Sequence, residues 1–252
     1  MNFKGNIISA GNNAKTIKGD GKEYVTAIFY GTPFKMLIEK AGKNIEVNSC
    51  AFADIAKCFK PCLNTAGRGG IFKAGETTNT VQEARKRKTV MFYKEREKFL
   101  NLLFQDVMKF ENKCIKAGVQ ACVRLNGTTD IQWEKIMIKD NKNIFDLFPN
   151  VIFYDYSKIF KRDVSHIKNY HLTWSYSAAN EWYAAQYETA LKNDQNIAVV
   201  FKDELPKTFL GLKVINGDKD DLRFLDPKRV VVGLKAKGKA RKDVSGFVQH
   251  VN

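Results

Sequence analysis

From residue 119 onward the chain contains six short segments that are apolar along most of their length, and a helical or loop segment separates each from the next. They span residues 119–127, 150–158, 170–177, 196–204, 211–218 and 229–238. Several carry apolar residues at consecutive rather than alternating positions, as strands do when both faces of a parallel sheet are buried. This order predicts an α/β domain whose mostly parallel sheet forms a complete or partial TIM-like barrel.

Two helical patterns accompany the strand series. From about residue 81 apolar residues recur at helical spacing, and Gly118 is expected to end that helix. Residues 177–193 predict a second amphipathic helix, with Ser177 as its N-cap. These helices are expected to pack against the sheet.

A single domain is predicted for residues 1–252, because no Pro- or Ser-rich linker divides the chain. Near its N-terminus, residues 23–31 and 34–40 are expected to pair as a hairpin, which would form either the first barrel strand or a β cap. The expected parts are an N-terminal β cap, a loop rich in cysteine and glycine, the helix and strand series, and a tail, at residues 1–45, 46–80, 81–243 and 244–252.

The chain has 42 Lys and Arg residues against 27 Asp and Glu, a formal net charge of +15. Such an excess favours a polyanionic partner, either nucleic acid or a nucleotide, although a lysine-rich composition without functional meaning explains it equally well. The sequence shows neither a signal peptide nor a membrane-spanning segment, so we expect a cytoplasmic protein with no membrane partner. It predicts no particular oligomeric state.

In parallel α/β folds, ligands bind where the carboxyl ends of the strands meet. The ionisable residues at the predicted strand ends are therefore the candidate site. Asp130, Asp155 and Lys158 are the candidate catalytic residues, because carboxylates and an amine serve acid–base chemistry. The candidate ligand-binding residues are Arg124, Asn126, Thr128, Asp218, Lys235 and Lys237.

Two other charged segments suggest binding roles. Residues 233–243 combine five cations with two glycines and are expected to hold phosphate. Residues 216–226 contain four acids, which either bind a divalent cation or pair with Arg223 in a solvated turn; the turn is favoured. The polar side of the first helix gives a candidate nucleic-acid surface, formed by Arg85, Lys86, Arg87 and Lys88.

Three of the five cysteines, Cys50, Cys58 and Cys62, lie in one stretch. Without an export signal, thiols or metal ligands are expected rather than disulfides. Their gaps of seven and three residues do not match the paired C-x2-C spacing of structural zinc. Three thiolates would suit a four-iron–four-sulfur (4Fe–4S) cluster with one open iron, whereas the alternative is that the cysteines are simply buried.

Several motifs carry a resemblance to known families. "CFKPCLNTAGRGG", "VRLNGTTDIQWE", "FYDYSK" and "VINGDKDDLRFLD" resemble a family of phage- and plasmid-borne proteins, and are distantly similar to the phage family called gene product 88. The order of cysteine loop, helix and strands is also similar to the partial barrels of radical S-adenosylmethionine enzymes. That second resemblance implies a 4Fe–4S cluster with S-adenosylmethionine, although the cysteine spacing departs from C-x3-C-x2-C.

These observations predict a phage-encoded intracellular protein with a strand-end site for a phosphate-bearing or nucleotide ligand. It would be an iron–sulfur enzyme related to the radical S-adenosylmethionine group, or another α/β-barrel enzyme. The alternative is a basic accessory protein that binds nucleic acid without catalysis.

Overall fold

The protein was analysed as a computed structural model, which describes residues 5–11 and 23–251. Residues 1–4 and 12–22 of the predicted β cap, and Asn252 of the predicted tail, lie outside these ranges. The strands are β1 Ile8–Ala10, β2 Tyr24–Phe29, β3 Lys35–Lys40, β4 Lys43–Asn48, β5 Gln120–Arg124, β6 Met137–Lys139, β7 Lys142–Asn143, β8 Ile152–Ser157, β9 Tyr170–Ser175, β10 Asn196–Phe201, β11 Thr208–Phe209, β12 Leu212–Asn216, β13 Val231–Lys235 and β14 Val248–Gln249. The α-helices are α1 Thr80–Lys94, α2 Arg96–Lys116, α3 Ile144–Leu147, α4 Glu181–Ala184 and α5 Tyr187–Lys192.

One large sheet organises the molecule, in the order β1-β2-β5-β8-β9-β10-β13-β12-β11. Neighbours from β2 through β12 are parallel, while β1 and β11 pair antiparallel at the two edges. Strand β14 adds alongside the end of β10. The predicted α/β class and mostly parallel sheet are confirmed, but the described strands form an open path and not a closed barrel.

All six strands predicted from the apolar segments are present, as β5, β8, β9, β10, β12 and β13. The predicted pairing of residues 23–31 with 34–40 is wrong. Strand β2 joins the large sheet parallel to β5, because its residues are buried and suit an interior position. Strand β3 instead pairs with β4, around a turn in which Ala41 and Gly42 both have positive φ.

The first predicted helix is present as two helices, α1 and α2, which are separated at Glu95, where φ is −124° and ψ is 53°. Gly118 follows with φ of 66°, as expected of a residue just beyond a helix end. The second predicted helix is shorter than expected. Asn180, not Ser177, accepts the capping hydrogen bond from the Tyr183 amide, while the Ser177 hydroxyl donates to the Ala56 carbonyl over 2.8 Å.

The helices cover one face of the sheet. Phe29 and Phe153 on that face pack in the same apolar core as Phe99 and Leu103 of α2. A second apolar core joins Trp174 and Ile197 to Tyr183, Ala190 and Ala56. Because side chains alternate along a strand, Arg124, Tyr154 and Tyr156 point to the opposite face, called the inner face below.

A connection between β12 and β13 lies across the inner face. Its Phe224 ring packs edge-on against Tyr24 and Tyr154, at centroid distances of 5.3 and 5.4 Å. Its Asp221 forms an ion pair with Arg124. Residues 217–226 thus cover part of the inner face, whereas helices cover the other face.

Among the described residues, no helix combines the length and apolar character needed to span a membrane.

Candidate functional site

The three clustered cysteines lie in the segment that connects β4 to α1, at the carboxyl edge of the sheet. The backbone of this segment is tied to the edge, since the Asp130 amide donates to the Ser49 carbonyl over 2.7 Å. Cys50 Sγ lies 3.8 Å from the Thr128 carbonyl. The turn after β5 therefore fixes the first of the three thiols.

All three thiols interact electrostatically with one another, so they occupy one region of the edge. Besides burial, Cys62 and Cys58 both raise the pKa of Cys50, and Cys58 raises the pKa of Cys62. Burial raises the pKa of Cys62 to about 11 and raises those of Cys50 and Cys58. The thiols are therefore protonated near neutral pH and are poor nucleophiles in this state.

Lys158 follows β8 and reaches the same region. Its ammonium donates to the carbonyls of Ser175 and Tyr176, over 2.9 and 3.1 Å, and lies 4.4 Å from the centre of the Phe247 ring. Burial lowers the pKa of Lys158 to about 8, although nearby Cys58 opposes that change. This amine can exchange a proton close to neutral pH.

Asp130 holds the start of the loop after β8. Its carboxylate accepts hydrogen bonds from Ser157 Oγ at 2.8 Å and from the Lys158 amide at 2.7 Å. Arg162 Nη1 lies 3.4 Å away, while Arg162 Nε and Nη2 donate to Glu134 over 2.9 and 2.7 Å. Burial raises the pKa of Asp130, and the Arg162 charge opposes this rise. The carboxylate thus positions the Lys158 backbone.

Asp155 points to the helix-covered face and holds the turn after β5. It accepts hydrogen bonds from the amides of Asn126 and Leu125, over 2.9 and 3.3 Å, and from Tyr170 Oη at 3.3 Å. Burial raises the pKa of Asp155 to about 7, although the Arg124 charge opposes it. The turn is closed further by Thr128 Oγ, which donates to the Gly31 carbonyl over 2.6 Å.

The raised pKa of Asp155 predicts a pH-dependent stability. The folded protein keeps this proton to higher pH than the unfolded chain, so the contribution is complete below about pH 4 and is lost as pH rises towards 7. Relative to the parent, Asp155→Asn should gain up to about 1.4 kcal/mol per pH unit over that interval. Urea unfolding of both proteins at a series of pH values measures the difference; parallel curves would contradict the assignment.

The other predicted strand-end residues form two further groups. Arg124 lies on the inner face, paired with Asp221 and flanked by the rings of Tyr154 and Tyr156 at 5.6 and 5.2 Å. At the end of β13, Asp218 accepts hydrogen bonds from the Lys235 amide at 2.8 Å and from Lys237 Nζ at 2.7 Å.

The four basic residues predicted to bind nucleic acid differ in their surroundings. Arg85 Nη1 donates to the carbonyl and side chain of Asn64, and Lys88 Nζ donates to the Ile7 carbonyl over 2.8 Å. Burial lowers the pKa of Lys88 to about 8. Of the four, Lys86 and Arg87 are exposed, whereas Arg85 and Lys88 are partly buried and engaged within the protein.

One cavity of about 350 Å³ lies beside the cysteine segment, and another of about 350 Å³ lies at the ends of β10 and β13. The predicted basic loop contains a 3₁₀ turn, Gly238–Lys242, which contributes Lys239 to the first cavity and Arg241 to the second. The first is lined by Pro33, Phe59, Lys60, Cys62, Asn64, Thr65 and Lys239. The second is lined by Lys202, Asp203, Lys235, Ala236 and Arg241.

Sequence reasoning missed the roles of Arg162, which donates to Asp130, of Glu134, which pairs with Arg162, and of Phe247, which covers Lys158. Glu134 ends the motif "VRLNGTTDIQWE", but no local pattern indicates these partners.

A family model described as gene product 88 matches residues 6–251. Neither a curated protein nor a solved structure matches the chain.

Proposed function

The chain belongs to the gene product 88 family, and we propose that it is a phage-encoded iron–sulfur enzyme. Cys50, Cys58 and Cys62 would hold a 4Fe–4S cluster at the carboxyl edge of the sheet, beside the site of a phosphate-bearing ligand. The observation that carries this proposal is that three thiols from one segment share this edge with Lys158 and Asp130.

The chemistry of the thiols supports a cluster over free nucleophiles. Their raised pKa values keep them protonated in the protein alone, whereas binding to metal removes the thiol protons. Within residues 5–11 and 23–251, no group of three or more His, Cys, Asp or Glu residues is arranged to hold a metal ion. The three thiols therefore do not form a preformed site for one ion. The ligands of a cluster bind separate iron atoms, so they stand farther apart than those of one ion.

The order of the strands also supports the proposal. Strands β2, β5, β8, β9, β10 and β13 are neighbours in the order in which they occur in the sequence, and the cysteine segment lies between the first and second of them. A sequential parallel order is compatible with the partial barrel that we propose by analogy with radical S-adenosylmethionine enzymes. A cluster bound by three cysteines has an open iron, which supplies a one-electron redox centre with a position for S-adenosylmethionine.

The protein's own residues would bind the ligand and move protons. Lys158 can exchange a proton near pH 8, since burial lowers its pKa to about that value. The second cavity would bind phosphate, because Lys202, Lys235 and Arg241 line it with one carboxylate, that of Asp203.

Anaerobic purification and reconstitution test the cluster. We expect about four iron and four sulfide ions per chain, together with visible absorbance, in the parent protein. Cys50→Ala, Cys58→Ala and Cys62→Ala should each lose most of the iron, whereas Cys114→Ala, which removes a buried thiol of α2, should keep it. Parent protein that binds no iron would refute the proposal, as would equal iron in all four variants.

If the cluster forms, electron paramagnetic resonance of its reduced form tests the open iron. Addition of S-adenosylmethionine should change the spectrum. An unchanged spectrum would remove S-adenosylmethionine from the proposal and leave the cluster in place.

A further inference from the structure

The first cavity, between the cysteine segment and the Gly238–Lys242 turn, has the size and lining of a small-molecule site. Its volume of about 350 Å³ falls within the range of ligand pockets, about 300–1,000 Å³. Three separate parts of the chain form it: Pro33 before β3, residues 59–65 of the cysteine segment, and Lys239. Segments distant in sequence therefore meet at this cavity.

The charge in this cavity is positive and unopposed. Lys60 and Lys239 are the ionised side chains in its lining, and no carboxylate lines it. Within the part of the chain that the structure describes, neither lysine forms an ion pair. Two ammonium groups facing one space attract an anion with more than one oxygen.

The aromatic ring of Phe59 lines the cavity together with the two lysines. The Phe59 side chain is 47% exposed, although phenylalanine is usually buried, and its ring centre lies 4.5 Å from that of Phe34. Phe34 adopts a φ of 65°, in the left-handed region that is rarely occupied by bulky residues. Such a backbone costs about 1–3 kcal/mol and persists where the surrounding structure requires it. Phe34 thus supports the Phe59 ring, which lines the cavity.

The remaining polar groups of the lining are already engaged. The Asn64 side chain donates to Gln82 Oε1 over 3.0 Å and accepts from Arg85 over 2.6 Å. Thr65 Oγ donates to the Cys62 carbonyl over 3.1 Å. Recognition is therefore left to the two ammonium groups, the Phe59 ring and the Cys62 sulfur.

We infer that this cavity binds a nucleoside monophosphate, with the phosphate between Lys60 and Lys239 and the base against Phe59 and Pro33. The inference rests on the proposed function only in that it places this ligand beside the proposed cluster, because Cys62 belongs to both. A base supplies the flat ring and a phosphate the oxygens, so this ligand matches both features of the lining.

Calorimetric titration of the purified full chain with three probes tests the inference. Adenosine monophosphate should bind at least tenfold more tightly than either adenosine or inorganic phosphate. Lys60→Met and Lys239→Met should each weaken binding of adenosine monophosphate about tenfold and leave adenosine binding unchanged. Phe59→Leu should weaken both nucleoside probes and leave phosphate binding unchanged.

Lys73→Met is the matched control, since Lys73 is an exposed lysine outside the lining. Adenosine monophosphate that binds no better than phosphate would overturn the inference, as would equal losses in Lys239→Met and Lys73→Met. Visible absorbance and iron analysis of the same preparations separate the two proposals. Nucleotide binding by protein that takes up no iron would support this inference and count against the cluster. Iron loading without nucleotide binding would support the cluster and contradict this inference.

Discussion

Asp221→Ala should lower the free energy of unfolding by about 3–5 kcal/mol, because it leaves the Arg124 guanidinium buried without its carboxylate partner. The Asp221 side chain is 2% exposed and the Arg124 side chain is 9% exposed. Tyr156 Oη also donates to Asp221 over 3.4 Å. Burial opposes the charge on Arg124 and Asp221 raises its pKa, but a guanidinium stays protonated in proteins even without such a partner, so the charge remains after the substitution. Urea unfolding followed by fluorescence of the buried Trp133 and Trp174 measures the loss.

Two further variants test whether the loss of stability comes from leaving a buried charge unpaired rather than from removing any carboxylate. Asp54→Ala removes an exposed carboxylate that lies 3.8 Å from Lys35 Nζ, and its cost should stay below about 1 kcal/mol. Combining Arg124→Met with Asp221→Leu should recover much of the stability that Asp221→Ala loses, because no unpaired charge remains. A double variant as unstable as Asp221→Ala would contradict this account.

Asp130→Ala should lower the free energy of unfolding by about 3 kcal/mol, because it leaves the buried Ser157 hydroxyl and Lys158 amide without an acceptor. Arg162 keeps Glu134 as its partner, at 2.7 Å between Nη2 and Oε2, so the charge itself stays paired. Asp130→Asn retains one acceptor oxygen and should lose less than half as much stability. Urea unfolding of the two variants gives the comparison.

This experiment also separates two roles of Asp130. The sequence predicts a catalytic carboxylate, whereas the contacts are those of a group that positions Lys158. A variant that loses less than 1 kcal/mol of stability but all ligand binding or activity would favour the catalytic role. A large loss of stability would favour positioning.

The strand series could be predicted because burial of a parallel sheet imposes consecutive apolar residues, and β10 shows this pattern as Asn-Ile-Ala-Val-Val-Phe. The β3–β4 hairpin could not be predicted in this way. Strand β4 is Lys-Asn-Ile-Glu-Val-Asn and mostly exposed, and its turn places Ala41 at a φ of 50°, where glycine or asparagine is the usual signal.

The sequence pattern also could not predict the contacts that Arg124 makes on the inner face. Tyr154 and Tyr156 count as apolar in a periodicity argument, yet their rings flank the Arg124 guanidinium. Arg124 and Asp221 are 97 residues apart, and only the fold brings them together. Local sequence predicts that a strand ends in an ionisable residue. Long-range packing decides which residue forms an ion pair with it.

The sequential strand order has a consequence for how the protein is made. Strands β2, β5, β8, β9 and β10 leave the ribosome in the order in which they lie side by side, so each new strand meets an edge that its predecessor has just formed. The cysteine segment and Lys158 are synthesised well before Phe247, whose ring covers the Lys158 ammonium. A growing chain therefore forms this edge first and covers the Lys158 ammonium last, so the amine stays open to solvent until the C-terminal residues have been synthesised.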